Sequence, residues 1–108
     1  MSADLAIRTA SGDVLLAAEF KYEPAHHRAD LLSHNFPVVG WGDPLQDIAR
    51  IREFVIAGKA PVAYAVLIDE GRLFRTREAH AGSEWRDWDA RTPDGHTVSI
   101  LWARWPHD

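Results

Sequence analysis

The amino-acid sequence predicts an α/β domain in which one helix crosses over a mixed β-sheet. Residues 4–22 alternate like a β-hairpin, residues 44–57 have the periodicity of an amphipathic helix, and residues 62–69 form an apolar strand. A helix between two strands indicates a crossover connection and a mixed sheet. With 108 residues, of which 46% are hydrophobic, we expect a single domain over residues 1–108.

The first hairpin has a register that the sequence predicts. Residues 4–9 and 13–22 alternate as strands, and Ser11 and Gly12 mark the turn between them. With an even-numbered loop, Asp4 lies opposite Glu19, and Lys21 shares their face. An odd loop with a bulge would shift this register by one residue. We expect the opposite face to pack on the core through Leu5, Ile7, Val14, Leu16, Ala18 and Phe20.

The helix over residues 44–57 has clear start and stop signals. Asp43 is a suitable N-cap, Gln46 completes a capping box, and Gly58 ends the helix. Its apolar residues recur at the spacing of one helical face. We expect this buried stripe to consist of Leu45, Ile48, Ile51, Val55 and Ile56.

Three charged residues of this helix have different expected roles. Asp47 and Arg50 lie on the polar side, where we expect them to be solvated. Arg52 falls inside the apolar stripe. Its guanidinium could bind a substrate phosphate or a site carboxylate, which makes it a candidate substrate-binding residue. In the alternative interpretation, its stem packs on the helix while its head reaches solvent.

The rest of the chain alternates between short strands and polar segments. Residues 23–36 are predicted to be a loop, whose histidines His26, His27 and His34 lack a recognised zinc spacing. Residues 62–69 are expected to form a central strand and residues 72–76 a shorter one. Residues 85–90 and 96–105 are expected to form a last hairpin, joined by a turn at residues 92–95. Acidic residues lie at the ends of two predicted strands. We interpret Glu23 as the end of the second strand of the first hairpin and Asp69 as a turn residue after the central strand.

Composition limits the classes of function. The chain has no cysteine, which excludes disulfides, thiolate metal sites and a cysteine nucleophile. The formal net charge of −4 counts against a simple DNA-binding module, although less against an enzyme that holds nucleic acid through a metal ion. Neither a leader pattern nor a membrane-length apolar run is present, so we expect a cytoplasmic protein.

The paired carboxylates of the hairpin point to metal chemistry. Two carboxylates held opposite each other repel unless a charge neutralises them. Mg²⁺ prefers oxygen ligands and takes one or two carboxylates together with waters and phosphate oxygens. A neighbouring lysine can stabilise charge that develops on a phosphate. Asp4, Glu19 and Lys21 therefore match the needs of phosphodiester hydrolysis, and their alternative role is an exposed ion-pair face.

Asp4 followed by Glu19, Phe20 and Lys21 resembles the Asp…Glu-x-Lys signature of the PD-(D/E)XK nuclease superfamily. The helix and apolar strand that follow are similar in order to this restriction-endonuclease-like fold. The resemblance implies that Asp4 and Glu19 bind Mg²⁺, that Phe20 lends its backbone carbonyl to the metal, and that Lys21 serves catalysis. It implies a magnesium-dependent nuclease acting on DNA phosphodiester bonds, and it covers residues 4–70.

The carboxyl-terminal end is rich in tryptophan. Its members are Trp85, Trp88, Trp102 and Trp105. We rank their roles as core, then homo-oligomer interface, then stacking on single-stranded nucleic acid. The alternative function is therefore a catalytically inactive nuclease-fold domain that acts in binding or assembly through this end. We expect a homodimer in either case.

Overall fold

A five-stranded mixed sheet with one helix forms the framework of the protein. The computed structural model describes residues 4–24, 39–91 and 97–106. The sheet order is β1-β2-β3-β5-β4, in which β2 and β3 are parallel and the other pairs antiparallel. The elements are β1 (Leu5–Arg8), β2 (Val14–Glu23), α1 (Gly42–Ile56), β3 (Ala63–Asp69), β4 (Ser83–Arg91) and β5 (Thr97–Trp105). The predicted α/β class, the crossover helix and the central strand β3 are confirmed.

The register of the first hairpin follows the prediction. Leu5 pairs with Ala18 and Ile7 with Leu16, so one further step along the ladder brings Asp4 opposite Glu19. The turn nevertheless differs from the even loop that we expected. Arg8 pairs with Val14, which shifts the register next to the turn and corresponds to a β-bulge. The bulge compensates for the odd loop and preserves the predicted pairing beyond it.

The core lies on the face of the hairpin that we expected to be polar. Ala17 of β2 packs with Ile51 and Phe54 of the helix, while Leu5 and Phe20 on the other face are exposed. The prediction of the core face was therefore wrong. Alanines 17, 63, 65 and 103 make a shallow floor on the helix side of the sheet, and the large side chains of α1 fill it at close range.

The helix is rotated relative to the predicted stripe. Ile51 and Phe54 are buried, whereas Leu45 and Ile56 are exposed, in contrast to the prediction. Asp43 is also not the N-cap, because the helix already begins at Gly42. The Asp43 carboxylate reaches back three residues and accepts a hydrogen bond from the Gly40 N–H at 2.9 Å, which satisfies a donor before the first turn.

The segment after β3 turns, although we predicted a strand over residues 72–76. The Asp69 carboxylate accepts hydrogen bonds from the N–H groups of Leu73 and Phe74 at 2.9 and 2.8 Å. These bonds replace ladder pairing, and Arg72 has a positive φ of 56°. The turn places Phe74 in a second core cluster with Leu67 and Leu101.

The last hairpin is present as β4 and β5, and β4 begins at Ser83 rather than at residue 85. Two other sequence predictions fall outside the described residues. They concern the histidine-containing loop, with His26, His27 and His34, and the turn at residues 92–95.

The side of the sheet away from α1 is named here the open face, because no described helix or strand packs on it. Strand pairing places its members on one side. Its large apolar members are Leu5, Ile7, Leu16, Phe20, Tyr22, Tyr64, Val66, Ile68, Trp88, Ile100 and Trp102. The central members are half-buried by one another, and those at the margins are exposed.

The phase of the helix can be tested with two substitutions on α1. Phe54→Ala leaves a cavity over the alanine floor and should lower the free energy of unfolding by about 3–5 kcal/mol. Ile56→Ala, at a side chain that is 67% exposed, should change it by no more than about 0.5 kcal/mol. Urea unfolding monitored by circular dichroism measures both. Equal losses in the two variants would contradict this packing.

Candidate functional site

Asp4 and Glu19 meet on the helix side of the sheet, next to edge strand β1. Asp4 Oδ2 accepts a hydrogen bond from the Phe20 N–H at 2.8 Å, which lowers the pKa of Asp4. The Glu19 side chain is only 4% exposed, and its burial, together with the neighbouring Asp4 charge, raises the pKa of Glu19. Each carboxyl is close enough to the other to shift its pKa, and the two shifts have opposite directions.

Two charged residues of α1 complete this site. Asp47 Oδ2 lies 3.2 Å from Lys21 Nζ, and Arg50 Nη1 lies 3.6 Å from Asp47 Oδ1 and 3.8 Å from Glu19 Oε2. We predicted that Asp47 and Arg50 would be solvated, but Asp47 is 3% exposed and Arg50 is half-exposed within an ion pair. Hydrophobicity alone could not reveal this, because the charged face of β2 lies beneath them. We name Asp4, Glu19, Lys21, Asp47 and Arg50 the ion-pair cluster.

The charge of the ion-pair cluster depends on the proton of Glu19. With every group ionised, three carboxylates face two cations and the cluster carries one net negative charge. Retaining the proton on Glu19 makes the cluster neutral. Because Glu19 and Asp47 are buried beneath α1, an unbalanced charge is costly there. Either a proton on Glu19 or a bound cation would therefore neutralise the net negative charge of the ion-pair cluster.

The oxygen donors of the cluster fit a small divalent cation only in part. Across residues 4–24, 39–91 and 97–106, the structure has no group of three or more His, Cys, Asp and Glu side chains that could hold a metal ion. Asp4 and Glu19 supply two carboxylates, and this is the number that Mg²⁺ takes when waters and substrate oxygens complete its shell. The proximity of these two carboxyl groups marks the position at which a cation would be held.

Arg52 is not brought to this site. Its guanidinium lies 5.1 Å from the centroid of the Trp105 ring, over strand β5. It lines an open groove of about 360 Å³ between α1 and the turn at Gly82. The ion-pair cluster is formed instead on β1 and β2. This position corresponds to the alternative interpretation of Arg52, in which the side chain packs on the surface of the domain.

A second pair of acidic residues lies at the carboxyl ends of the two parallel strands. Glu23 and Asp69 are register partners and are fully buried. Burial raises the pKa of Asp69, the N–H groups of Phe74 and Leu73 lower it, and the Glu23 charge raises it further. Glu23 Oε1 accepts a hydrogen bond from the Val39 N–H at 2.7 Å. The Asp69 carboxylate thus holds the turn that follows β3, and the Glu23 carboxylate holds the backbone at Val39.

Comparison of the chain with models of protein families, with curated protein sequences and with solved structures gave no significant match. Within the described residues, none of the helical segments has the length and hydrophobicity that crossing a lipid bilayer requires. The site is therefore interpreted from its own geometry and charge.

The raised pKa of Glu19 predicts a pH dependence of stability. The folded state binds the Glu19 proton more tightly than the unfolded state, so this contribution is complete below the ordinary pKa of 4.5. It is lost as the pH rises through the higher pKa of the folded state. Glu19→Gln has no such proton to lose.

The measurement is urea unfolding of both proteins over a pH series that starts below 4.5. The stability of Glu19→Gln relative to the original chain should rise with pH above that value and then reach a plateau. A stability difference that is constant or falls with pH would contradict a raised pKa of Glu19 in the folded state. Asp87→Asn is a suitable control, because the pKa of this exposed carboxyl is lowered by its hydrogen bonds to Ser99 and Arg75.

Proposed function

We propose that this chain is a restriction-endonuclease-like domain that hydrolyses DNA phosphodiester bonds with Mg²⁺. The observation that carries the proposal is the contact between Asp4 and Glu19 across paired strands, with Lys21 on the same face. This is the pattern of side chains that the sequence signature requires. The mixed sheet with its crossover helix also supports the proposal.

Asp4 and Glu19 are the residues that would hold the metal, together with the backbone carbonyl of Phe20. Their fit is supported by the charge of the ion-pair cluster, which lacks one positive charge when Glu19 is ionised. Bound there, Mg²⁺ supplies the positive charge that polarises a phosphate and makes a bound water more acidic. The Arg50 guanidinium assists loss of the Glu19 proton, because its charge partly offsets the rise in the Glu19 pKa.

Lys21 is the candidate for stabilising the reacting phosphate. Its ammonium group lies 3.2 Å from Asp47, and the Lys21 side chain is about one third exposed. Asp47 acts as a positioning residue, since it holds both Lys21 and Arg50 on the side of Glu19. A preorganised cation of this kind stabilises negative charge as it develops during phosphodiester cleavage.

DNA would approach from the edge of the sheet. Strand β1 is an edge strand, and Asp4 at its start is exposed, although Glu19 behind it is covered by α1. The acidic chain offers little general attraction for a polyanion. Binding would therefore depend on Mg²⁺ more than in a basic DNA-binding domain.

A second candidate is a catalytically inactive domain of the same fold that acts in binding or assembly. It is favoured by the direct ion pair between Lys21 and Asp47 and by the deep burial of Glu19. With Glu19 protonated, the ion-pair cluster is neutral and anchors α1 to the sheet without any ligand. The tryptophan-rich end would then supply the contacts to partners.

Cleavage assays separate these two candidates. Plasmid and single-stranded DNA are incubated with the purified protein in Mg²⁺ or in chelator. Glu19→Gln and Lys21→Ala should each reduce the Mg²⁺-dependent rate by about 10²-fold or more. Lys59→Ala, which removes an exposed lysine beyond the end of α1, should retain the Mg²⁺-dependent cleavage rate of the wild-type chain.

Cleavage that persists in both site variants would assign the activity to another site or to a contaminant. A folded wild-type protein that cuts none of these substrates would favour the second candidate. Circular dichroism of each variant shows whether a lost activity reflects unfolding.

Metal binding can be measured without any substrate. Mg²⁺ should raise the melting temperature of the wild-type chain, because a ligand that binds the folded state alone stabilises it. The increase should be larger at higher pH, since the metal competes with the Glu19 proton. Glu19→Gln and Asp4→Asn should abolish most of it. An equal Mg²⁺ effect in these variants would place the cation elsewhere.

A further inference from the structure

The open face is an apolar surface that extends over all five strands, with aromatic side chains on four of them. At its centre Tyr64 of β3 and Trp102 of β5 are stacked, with their ring centroids 6.1 Å apart. Towards the margins Phe20 and Trp88 are exposed, and the Trp88 side chain retains 51% of its accessible surface. A continuous apolar surface of this extent is characteristic of an interaction site in a folded protein.

We propose that the open face binds a second copy of this chain, so that two sheets pack face to face in a symmetric dimer. This interface deepens the assembly role of the second candidate function, and it forms whether or not the ion-pair cluster is catalytic. The two features lie on opposite faces of the sheet, because Glu19 and Lys21 point towards α1 while Phe20 points away from it.

The size of the face fits such a dimer. The five strands contain 39 residues, which at 3.3 Å per residue and about 4.8 Å between strands cover roughly 600 Å². Two such faces together have a planar area of roughly 1,200 Å², before the relief of the side chains is counted. A specific protein interface needs about 1,000 Å² or more. One copy of this chain is therefore large enough to cover the face of another.

The charged side chains of the open face are compatible with the packing of two identical copies of this face. Among the described residues, the face carries two carboxylates, Glu70 and Glu84, and two guanidinium groups, Arg86 and Arg104. Arg86 lies 2.8 Å from Glu84 and stacks over Trp102 at 4.6 Å. An isologous interface of net zero charge avoids repulsion between identical surfaces. Single-stranded nucleic acid would instead need an excess of positive charge along the aromatic surface.

The polar atoms of the aromatic side chains already have partners within the chain. Trp102 donates its indole N–H to Glu84 at 2.9 Å, and Tyr22 donates its hydroxyl to Glu70 at 2.7 Å. Covering the face with apolar side chains would therefore leave these two donors satisfied. Burial of such a surface has a small desolvation cost compared with its hydrophobic gain.

Sedimentation velocity of the full chain over a dilution series tests this inference. We expect a species of twice the 12.2 kDa monomer mass that dissociates on dilution. Trp88→Glu and Tyr64→Glu place a charge in the interface and should raise the dissociation constant by about 30-fold or more. Tyr64→Phe should leave it nearly unchanged.

Ile56→Glu is the matched control. Ile56 is more exposed than Trp88, but it lies on α1, which covers the other side of the sheet. This variant should remain dimeric. Because Trp88 is half-exposed, its substitution tests the interface even if Tyr64→Glu disturbs folding, which circular dichroism detects.

Three results would overturn the inference: a wild-type chain that is monomeric at every concentration, a dimer that survives both Trp88→Glu and Tyr64→Glu, or a dimer that only Ile56→Glu disrupts. A monomer whose tryptophan fluorescence is quenched by a single-stranded oligonucleotide would assign the face to nucleic acid instead. DNA cleavage measured on the same Trp88→Glu sample distinguishes loss of the dimer from loss of the nuclease site.

Discussion

The attachment of helix α1 to the sheet is the interaction on which the rest of the structure depends. Ile51 and Phe54 pack on a floor of alanines, and one to two turns earlier Asp47 binds Lys21 on the same face of β2. The apolar contact supplies the driving force for docking, because it removes large side chains from water. The ion pairs fix the rotation of the helix, since a charged residue buried without its partner would be costly.

This attachment links the fold to the candidate site. The helix covers Glu19 and so raises its pKa, whereas Asp4 at the sheet edge remains exposed and ionised. The pKa values of two neighbouring carboxyl groups thus shift in opposite directions, because one lies under the helix and the other does not. The same asymmetry leaves the opposite face of the sheet uncovered among the described residues, which is why aromatic side chains remain exposed there.

Much of the fold and part of the site could be predicted from local patterns. The turn at Ser11 and Gly12, together with alternation, was sufficient to bring Asp4 opposite Glu19. The identity of the core face could not be predicted, because the helix side of β2 carries Ala17 beside charged residues, whereas the other side carries most of its large apolar residues. The larger side chains favoured the wrong one, and only the shape of α1 selects the alanine face. Similarly, the burial of Asp47 depends on Lys21, which lies 26 residues earlier in the chain. A helical wheel of α1 shows only the residues of the helix, so it could not reveal this partner.

The two parts of the candidate site differ in how firmly they are attached to the rest of the fold. Asp4 is attached through β1, a strand of four residues at the edge of the sheet, whereas Lys21 and Asp47 join a central strand to the helix. Local unfolding begins at short edge elements and requires far less free energy than global unfolding. Detachment of β1 alone would separate the carboxylates, remove the Asp4 charge from beside Glu19 and leave the lysine in its ion pair.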